Sequence, residues 1–393
     1  MKNSKKAGLI TTFILLLLLI GLFYIINLKV IVPTSNIEFS PVQYSPKAQL
    51  NSLSEKPKNI ILFIADGMGF NHLSLALLTQ QSEEASSVWL KFDVKGWHDS
   101  RSSYGPLTDS AASATAIATG TETFFGVIGQ DAEGNDIENI MEFATRHNYS
   151  TGIVTDSFIW DATPAAFVAH TKSRKDAKDI LIQIASSGLD LIFGELEDLG
   201  EDNVPDYEAT IEILNQRFHL LGKSLELPSD DSNTKPLAAI YAEDEVQDLD
   251  SNPNLTRLTT VALNYFNSKD QPFLLLVESE EMDSKSHKND SEGVLKGIKS
   301  IQETLSHIID FSKANGETLV IFTSDHETGG LVVVSNKNDP NMQMVWSTKS
   351  HTASLVPLLA KGPGAEYFAD IHRNWEIGNR IKKLISQNNT QNK

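Results

Sequence analysis

NIILFIADGMG, residues 59–69, is an isoleucine-rich apolar run that ends in an acid and a glycine-rich turn. An apolar run with no polar alternation marks a strand buried on both faces, as in a parallel sheet. Its carboxyl end delivers Asp66 into the turn, and in open parallel sheets ligand chemistry collects at that end of the strands. The same grammar recurs: GIVT (152–155) leads to Asp156, PFLLLVESE (272–280) carries Glu278, and TLVIFTSDHETGG (318–330) leads to Asp325 and His326. Leu189–Gly194 and Pro236–Tyr241 are weaker strand candidates. Helical patterns lie between these runs at 137–148, 176–185, 207–218, 255–267 and 294–316, the last closing at Gly316. Strands alternating with helices predict an α/β fold, a three-layer sandwich with a large, mainly parallel central β-sheet covered by helices on both faces.

Around this core, 393 residues with 40% apolar content suffice for one large domain. Lys2, Lys5 and Lys6 precede Gly8–Ile26, which carries no charge and contains the leucine run 15–19 before Lys29 closes it. That length suits a membrane-crossing helix with its positive flank kept inside, and no A-x-A-like cleavage site follows. The expected organisation is therefore an N-terminal membrane anchor or uncleaved signal segment at 1–29 and a tether at 30–57. A single catalytic domain follows at 58–387, with a frayed tail at 388–393. It implies a bacterial cell envelope location with the domain on the periplasmic or extracellular side, or secretion if the segment is cleaved. With no cysteine, neither a disulfide nor a thiol-linked lipid is available. The net charge of -18, about -22 once the four lysines of the first 29 residues are set aside, repels a nucleic-acid backbone. No nucleic-acid partner is expected, although metal ions can reverse the sign locally for a small anion.

TDSAASATAIATG, Thr108–Gly120, places one aspartate and one serine at the head of a run of alanines and small hydroxyl residues. Such a run packs flush against a sheet, and its amino end offers N–H groups and a dipole that suit an anion. Ser110 is thus a candidate nucleophile, while Asp109 or Ser110 serves equally well as a helix N-cap. Distant residues supply a context for it: Asp66, Glu278 with Asp283 and His287, Asp325 with His326, and His351 in a late loop. Histidine with carboxylate suits zinc, and an all-oxygen set suits magnesium. Asp283 and His287, four apart, would share one helix face over a common metal. The same segment, with Glu280 and Glu281, also reads as an acidic solvent-facing loop.

Six pieces now stand in order: IADGMG (64–69), TDSAASATAIATG, DATPAAFVAHTKSR (161–174), VESEEMDSKSH (277–287), TSDHETGG (323–330) and SHT (350–352). In these the chain resembles the alkaline phosphatase family of metal-dependent phosphomonoesterases. The resemblance implies that Ser110 attacks the phosphoryl group and that Arg174 grips two of its oxygens. It implies one zinc on Asp283, His287 and His351, and a second on Asp325, His326 and Asp66, to which Ser110 also binds. One magnesium would lie on Thr163 and Glu278 near Asp66, with Asp161 reached through water. Small phosphate monoesters are the implied substrates, a homodimer is the family-like assembly, and the N-terminal helix would add the membrane as a partner. Departures are local: Ser279 stands where glycine is usual, Ser284 follows Asp283, Ser324 precedes Asp325, and an acidic segment replaces a glycine-rich turn after Gly194. Ser279 is expected either to crowd the magnesium ligand or to add a hydrogen bond to it. A phosphodiesterase or other phosphoryl hydrolase of the same superfamily, or a sulfatase, is the alternative, which the serine in this motif disfavours. A non-catalytic metal- or phosphate-binding envelope protein would not require that serine.

Overall fold

Apolar side chains alternate along β1 (Asn59–Ala65) between two separate cores: Ile60, Leu62 and Ile64 enter one, and Ile61, Phe63 and Ala65 the other. A strand that feeds two cores lies inside a sheet covered on both faces. The computed structural model describes residues 56–79, 87–197, 207–228, 235–246, 250–336 and 339–389. Among them the strands are, after β1, β2 (Val94–His98), β3 (Ser150–Phe158), β4 (Leu191–Leu196), β5 (His219–Leu220), β6 (Leu237–Ala242), β7 (Phe273–Ser279) and β8 (Thr318–Thr323). The short strands β9 (Glu327–Thr328), β10 (Leu331–Asn336), β11 (Asp339–Trp346) and β12 (His351–Thr352) precede β13 (Val356–Lys361).

Nine of these form the central sheet in the order β2-β13-β8-β1-β7-β3-β4-β6-β5. All neighbours pair parallel except β13, which runs against both β8 and β2. Helices Ser110–Thr119, Ile140–Arg146, Ala177–Ser186 and Trp375–Asn389 pack on one face, and Phe70–Leu78, Leu255–Asn267 and Ser291–Asn315 on the other. The α/β sandwich expected from the sequence is the fold observed.

The helix Ser110–Thr119 is buried at every position. Asp109 caps it, accepting from the Ala112 N–H at 3.0 Å, a contact of a kind worth about 1 kcal/mol. Its small side chains admit the closing helix so nearly that a Cβ on Gly378 would stand 2.2 Å from the Ile117 carbonyl oxygen. Glycine is therefore required at that crossing.

Two expectations change. His351 is not in a loop but in β12, paired antiparallel with β9; a two-residue strand is too short to leave a periodic signal in sequence. The transmembrane helix, and with it the membrane partner and the envelope location, is withdrawn. No helix among the described residues is long and apolar enough to cross a membrane, and the segment 1–29 on which that expectation rested lies outside them. Most of the acidic segment after Gly194 also lies outside the described residues, at 198–206.

Candidate metal centre

Four adjacent parallel strands, β8, β1, β7 and β3, end at the same edge of the sheet. Asp66 follows β1, Glu278 lies near the end of β7, and Asp325 and His326 follow β8. The turn after Asp66 must pass very close to the helix that carries Asp283 and His287. Gly67 has φ of +73°, and a Cβ there would meet Asp283 Oδ1 at 2.8 Å. Glycine thus solves both the left-handed backbone and the close approach.

One cluster consists of Asp283, His287 and His351. Asp283 and His287 sit on the helix Glu281–Lys288, and His287 Nε2 lies 3.2 Å from Asp283 Oδ2. His287 Nδ1 donates to the Lys349 carbonyl at 2.6 Å, and His351 Nδ1 to the Thr108 carbonyl at 2.9 Å. A carbonyl only accepts, so the remaining ring nitrogens present lone pairs. Those two Nε2 atoms converge at 3.2 Å, with Asp283 Oδ1 3.8 Å from His351. Facing lone pairs beside a carboxylate repel one another unless a cation lies between them, so the donor set fits a metal ion.

A second cluster consists of Asp66, Asp283 and His326, with Asp325 beside it. His326 Nε2 lies 3.2 Å from Asp325 Oδ2, 3.4 Å from Asp66 Oδ1 and 3.2 Å from the Ser110 hydroxyl. Asp66 Oδ1 and Asp325 Oδ2 are buried with no hydrogen-bond partner. Orphaned buried carboxylate oxygens are costly, and a divalent cation is their natural partner. Burial, then the charges of Asp325 and Asp283, pushes Asp66 well above the carboxylate range. Burial, then Asp283, raises Asp325 to about 6, and burial lowers His326 to about 4. Asp283 goes the other way. Burial alone would raise it, but in the absence of a cation a protonated His287, whose Nε2 then becomes a donor, together with His326 and the Thr328 hydroxyl holds it below its ordinary value.

Beside these lies an oxygen-rich pocket. Glu278 is raised well above the usual range by burial and then by Asp161, while the Thr155 hydroxyl donates to its Oε2 at 2.5 Å. Its other oxygen, Oε1, and Thr163 Oγ1 are buried without a satisfactory hydrogen bond, which suits a hard cation. Asp161 caps the helix Ala162–Ala166 and accepts from Arg174 Nη2 at 2.8 Å. Arg174 Nη1 also lies 3.9 Å from Asp109 Oδ2, and the Arg174 N–H donates to the Gly126 carbonyl at 2.7 Å. The guanidinium is therefore held on the flank of the helix that starts at Ser110.

Ser110, Asp66, Asp283, His287, Asp325, His326 and His351 thus form one continuous set, with Glu278, Thr163, Asp161 and Arg174 alongside. Thr155, Asp156 and Thr328 received no role from the sequence. Thr328 donates to Asp283 and lies 3.2 Å from His326 Nδ1. Asp156 accepts from Ser279 Oγ at 2.8 Å and from the Glu280 N–H at 2.7 Å. Ser279 therefore bonds to Asp156 and not to Glu278, contrary to the expected alternatives. Register was the missing signal, since Thr155 stands opposite Glu278 across β3 and β7. Ser284 turns its hydroxyl to the Glu281 carbonyl of its own helix, and Ser324 accepts from the Met68 N–H and donates to the His326 carbonyl.

The family model for alkaline phosphatase matches residues 57–214 and 222–340. Alkaline phosphatase 4 of Bacillus subtilis (strain 168) is 32% identical over 323 residues, spanning 78% of this chain and 69% of its own length. The alkaline phosphatase of Escherichia coli (strain K12) is 26% identical over 394 residues, spanning 80% of this chain and 83% of that protein. In three dimensions, the alkaline phosphatase from the Antarctic bacterium TAB5 is similar with a TM-score of 0.76 at 28% identity, covering 85% of this chain and 99% of that one. With clustered metal-binding side chains around a buried serine, the chain is a hydrolase that belongs to the alkaline phosphatase family, whose chemistry is phosphomonoester hydrolysis.

Proposed function

We propose that the protein hydrolyses phosphate monoesters to an alcohol and inorganic phosphate through a phosphoserine formed on Ser110. Asp283, His287 and His351 would hold one zinc, and Asp66, Asp325 and His326 a second. Glu278 and Thr163, with Asp161 nearby, would hold one magnesium; a TAB5 alkaline phosphatase mutant has Mg in a site designated M3. The observation that carries the reading is the Ser110 hydroxyl 3.2 Å from His326 Nε2, a nitrogen that it shares with the two orphaned carboxylates of Asp66 and Asp325. Divalent ions on such donor sets act as Lewis acids, lowering the pKa of a hydroxyl or water and offsetting charge on a departing oxygen.

The chain's own groups do the rest. The buried helix fixes Ser110 Oγ so that it meets phosphorus in one orientation. Its attack forms the Oγ–P bond as the ester P–O bond breaks, and the alcohol departs with the electron pair and takes up a proton. Water then attacks phosphorus, the Oγ–P bond breaks, and phosphate leaves. Arg174, a planar fork braced by Asp161 and Asp109, matches two phosphoryl oxygens where a lysine would offer one point charge.

The test is hydrolysis of an aryl phosphate monoester against a diester and a sulfate, after loading with zinc and magnesium and counting both metals by elemental analysis. Monoester turnover with two zinc and one magnesium per chain is expected; no monoester turnover in the fully loaded protein rejects the proposal.

A further inference from the structure

Thr119 and Ser113 share the buried helix that begins at Ser110, yet their hydroxyls bond differently. Thr119 Oγ1 donates back to the Thr115 carbonyl, four residues earlier, at 2.8 Å, the ordinary bond of a hydroxyl within a helix. Ser113 Oγ instead leaves its helix and donates to the Asp325 carbonyl at 2.7 Å. Ser113 lies one turn from Ser110, and Asp325 precedes His326, whose Nε2 is 3.2 Å from the Ser110 hydroxyl. This bond therefore joins the helix of the serine to the strand end that carries two candidate metal ligands.

Asn374 decides which way that hydroxyl points. It is 1% exposed, and its Oδ1 accepts from the Trp375 N–H at 2.9 Å at the head of the closing helix. Its Nδ2 is thus the end that faces Ser113, donating to Oγ at 3.0 Å and to the Ser100 carbonyl at 3.4 Å. An amide nitrogen only donates and a carbonyl only accepts, which leaves the Ser113 hydrogen aimed at Asp325. Asn374 is placed in turn by its own N–H, which donates to the Asp99 carbonyl at 3.2 Å. Farther along, Asn379 Nδ2 donates to the Gly120 carbonyl at 3.0 Å and Lys382 Nζ to the Thr119 carbonyl at 2.9 Å, so the closing helix holds the serine helix at its far end as well.

We infer that Asn374 is a positioning residue for the hydrolysis: acting through Ser113, it sets the Ser110 hydroxyl at its working distance from Asp325 and His326. The inference rests on the monoesterase reading above. The bond is made to the Asp325 backbone and involves none of its carboxylate oxygens, so metal binding and placement of the nucleophile are separable. A displacement of about 1 Å at a reacting group can cost about a hundredfold in rate.

The experiment follows the first turnover of an aryl phosphate by rapid quench on the full-length metal-loaded enzyme, in the wild type, Asn374→Asp, Asn374→Ala, Ser113→Ala and the Ser113→Ala/Asn374→Asp double variant. Asn374→Asp keeps the oxygen that accepts from Trp375 and replaces the donor with an acceptor, which draws the Ser113 hydrogen away from Asp325. Asn374→Ala frees the hydroxyl to turn back to the Asp109 carbonyl, and Ser113→Ala removes it from a helix that already carries alanine on either side. Each single variant is expected to lose roughly ten- to a hundredfold in the first-turnover rate while keeping its zinc and magnesium content and its inhibition constant for inorganic phosphate. The double variant should lose no more than Ser113→Ala alone, because the two changes break one linkage. A wild-type rate in Ser113→Ala or in both Asn374 variants, additive losses in the double variant, or a loss that follows the zinc content overturns the positioning role and leaves monoester hydrolysis standing. No turnover in the wild type overturns the monoesterase reading and the inference with it.

Discussion

Thr155 and Glu278 stand opposite each other in register on adjacent parallel strands, and the threonine hydroxyl donates to Glu278 Oε2 at 2.5 Å. This bond leaves Oε1 of the same buried carboxylate as the oxygen without a partner. One strand thereby sets which oxygen of its neighbour is available to a cation.

Thr155→Val keeps the shape and deletes the donor. The unpaired oxygen should cost about 1–3 kcal/mol in the metal-free protein. More magnesium should then be needed for half-maximal activity. Urea unfolding without metal and a magnesium titration of turnover check both effects; an unchanged titration curve would show that Thr155 does not orient Glu278.

Ser110→Ala should abolish turnover while leaving zinc and magnesium bound at wild-type stoichiometry, because in the proposed mechanism the serine supplies the nucleophile and the carboxylates and imidazoles supply most of the donors. Measurable covalent turnover in this variant rejects the assigned nucleophile.

Asp283 belongs to both histidine clusters. Asp283→Ala should therefore reduce zinc at both, whereas His287→Ala should reduce it at one. Elemental analysis distinguishes them, and equal zinc contents in the two variants would contradict the shared role.

Arg174→Lys keeps the charge and loses the fork. Given about 1.5–3 kcal/mol for a hydrogen bond to a charged group, kcat/KM should fall roughly ten- to a hundredfold. Inhibition by inorganic phosphate should weaken in parallel, and a wild-type kcat/KM in Arg174→Lys would remove Arg174 from phosphoryl binding.

His98 provides a pH test away from the metal ligands. It is fully buried, and burial lowers it from 6.5 to about 4. Its Nε2 lies 2.7 Å from Thr323 Oγ1, whose hydroxyl donates to the Pro357 carbonyl, so Nε2 carries the hydrogen and donates. A histidine depressed on folding favours the folded state above 6.5, and this advantage drains away as pH falls toward 4. On the order of 3 kcal/mol should be lost across that window. Denaturant unfolding at pH 7.5 and 4.5 should differ by less in His98→Gln than in the wild type.

The parallel sheet was legible because each long strand is apolar throughout and ends in an acid or a turn, a pattern that Ile60 to Asp66 and Thr318 to Asp325 both display. The helix Glu281–Lys288 was only half legible: the four-residue spacing of Asp283 and His287 fits one helix face, but the same acidic run also read as a solvent-facing loop. Cross-strand partners were not legible. Nothing in the sequence places Thr155 beside Glu278, or aims Ser279 at Asp156 in place of its neighbour. Those contacts depend on strand order, and the order β8-β1-β7-β3 brings together chain segments far apart in sequence.

The candidate ligand types, the serine and the alternation of strand and helix are readable along the chain, since periodicity and residue chemistry are local properties. Which oxygen or nitrogen faces the site depends on contacts made between segments far apart in sequence. A neighbouring strand fixes Glu278 and backbone carbonyls fix His287 and His351 by hydrogen bonds, and those partners are positioned by packing across the whole sheet.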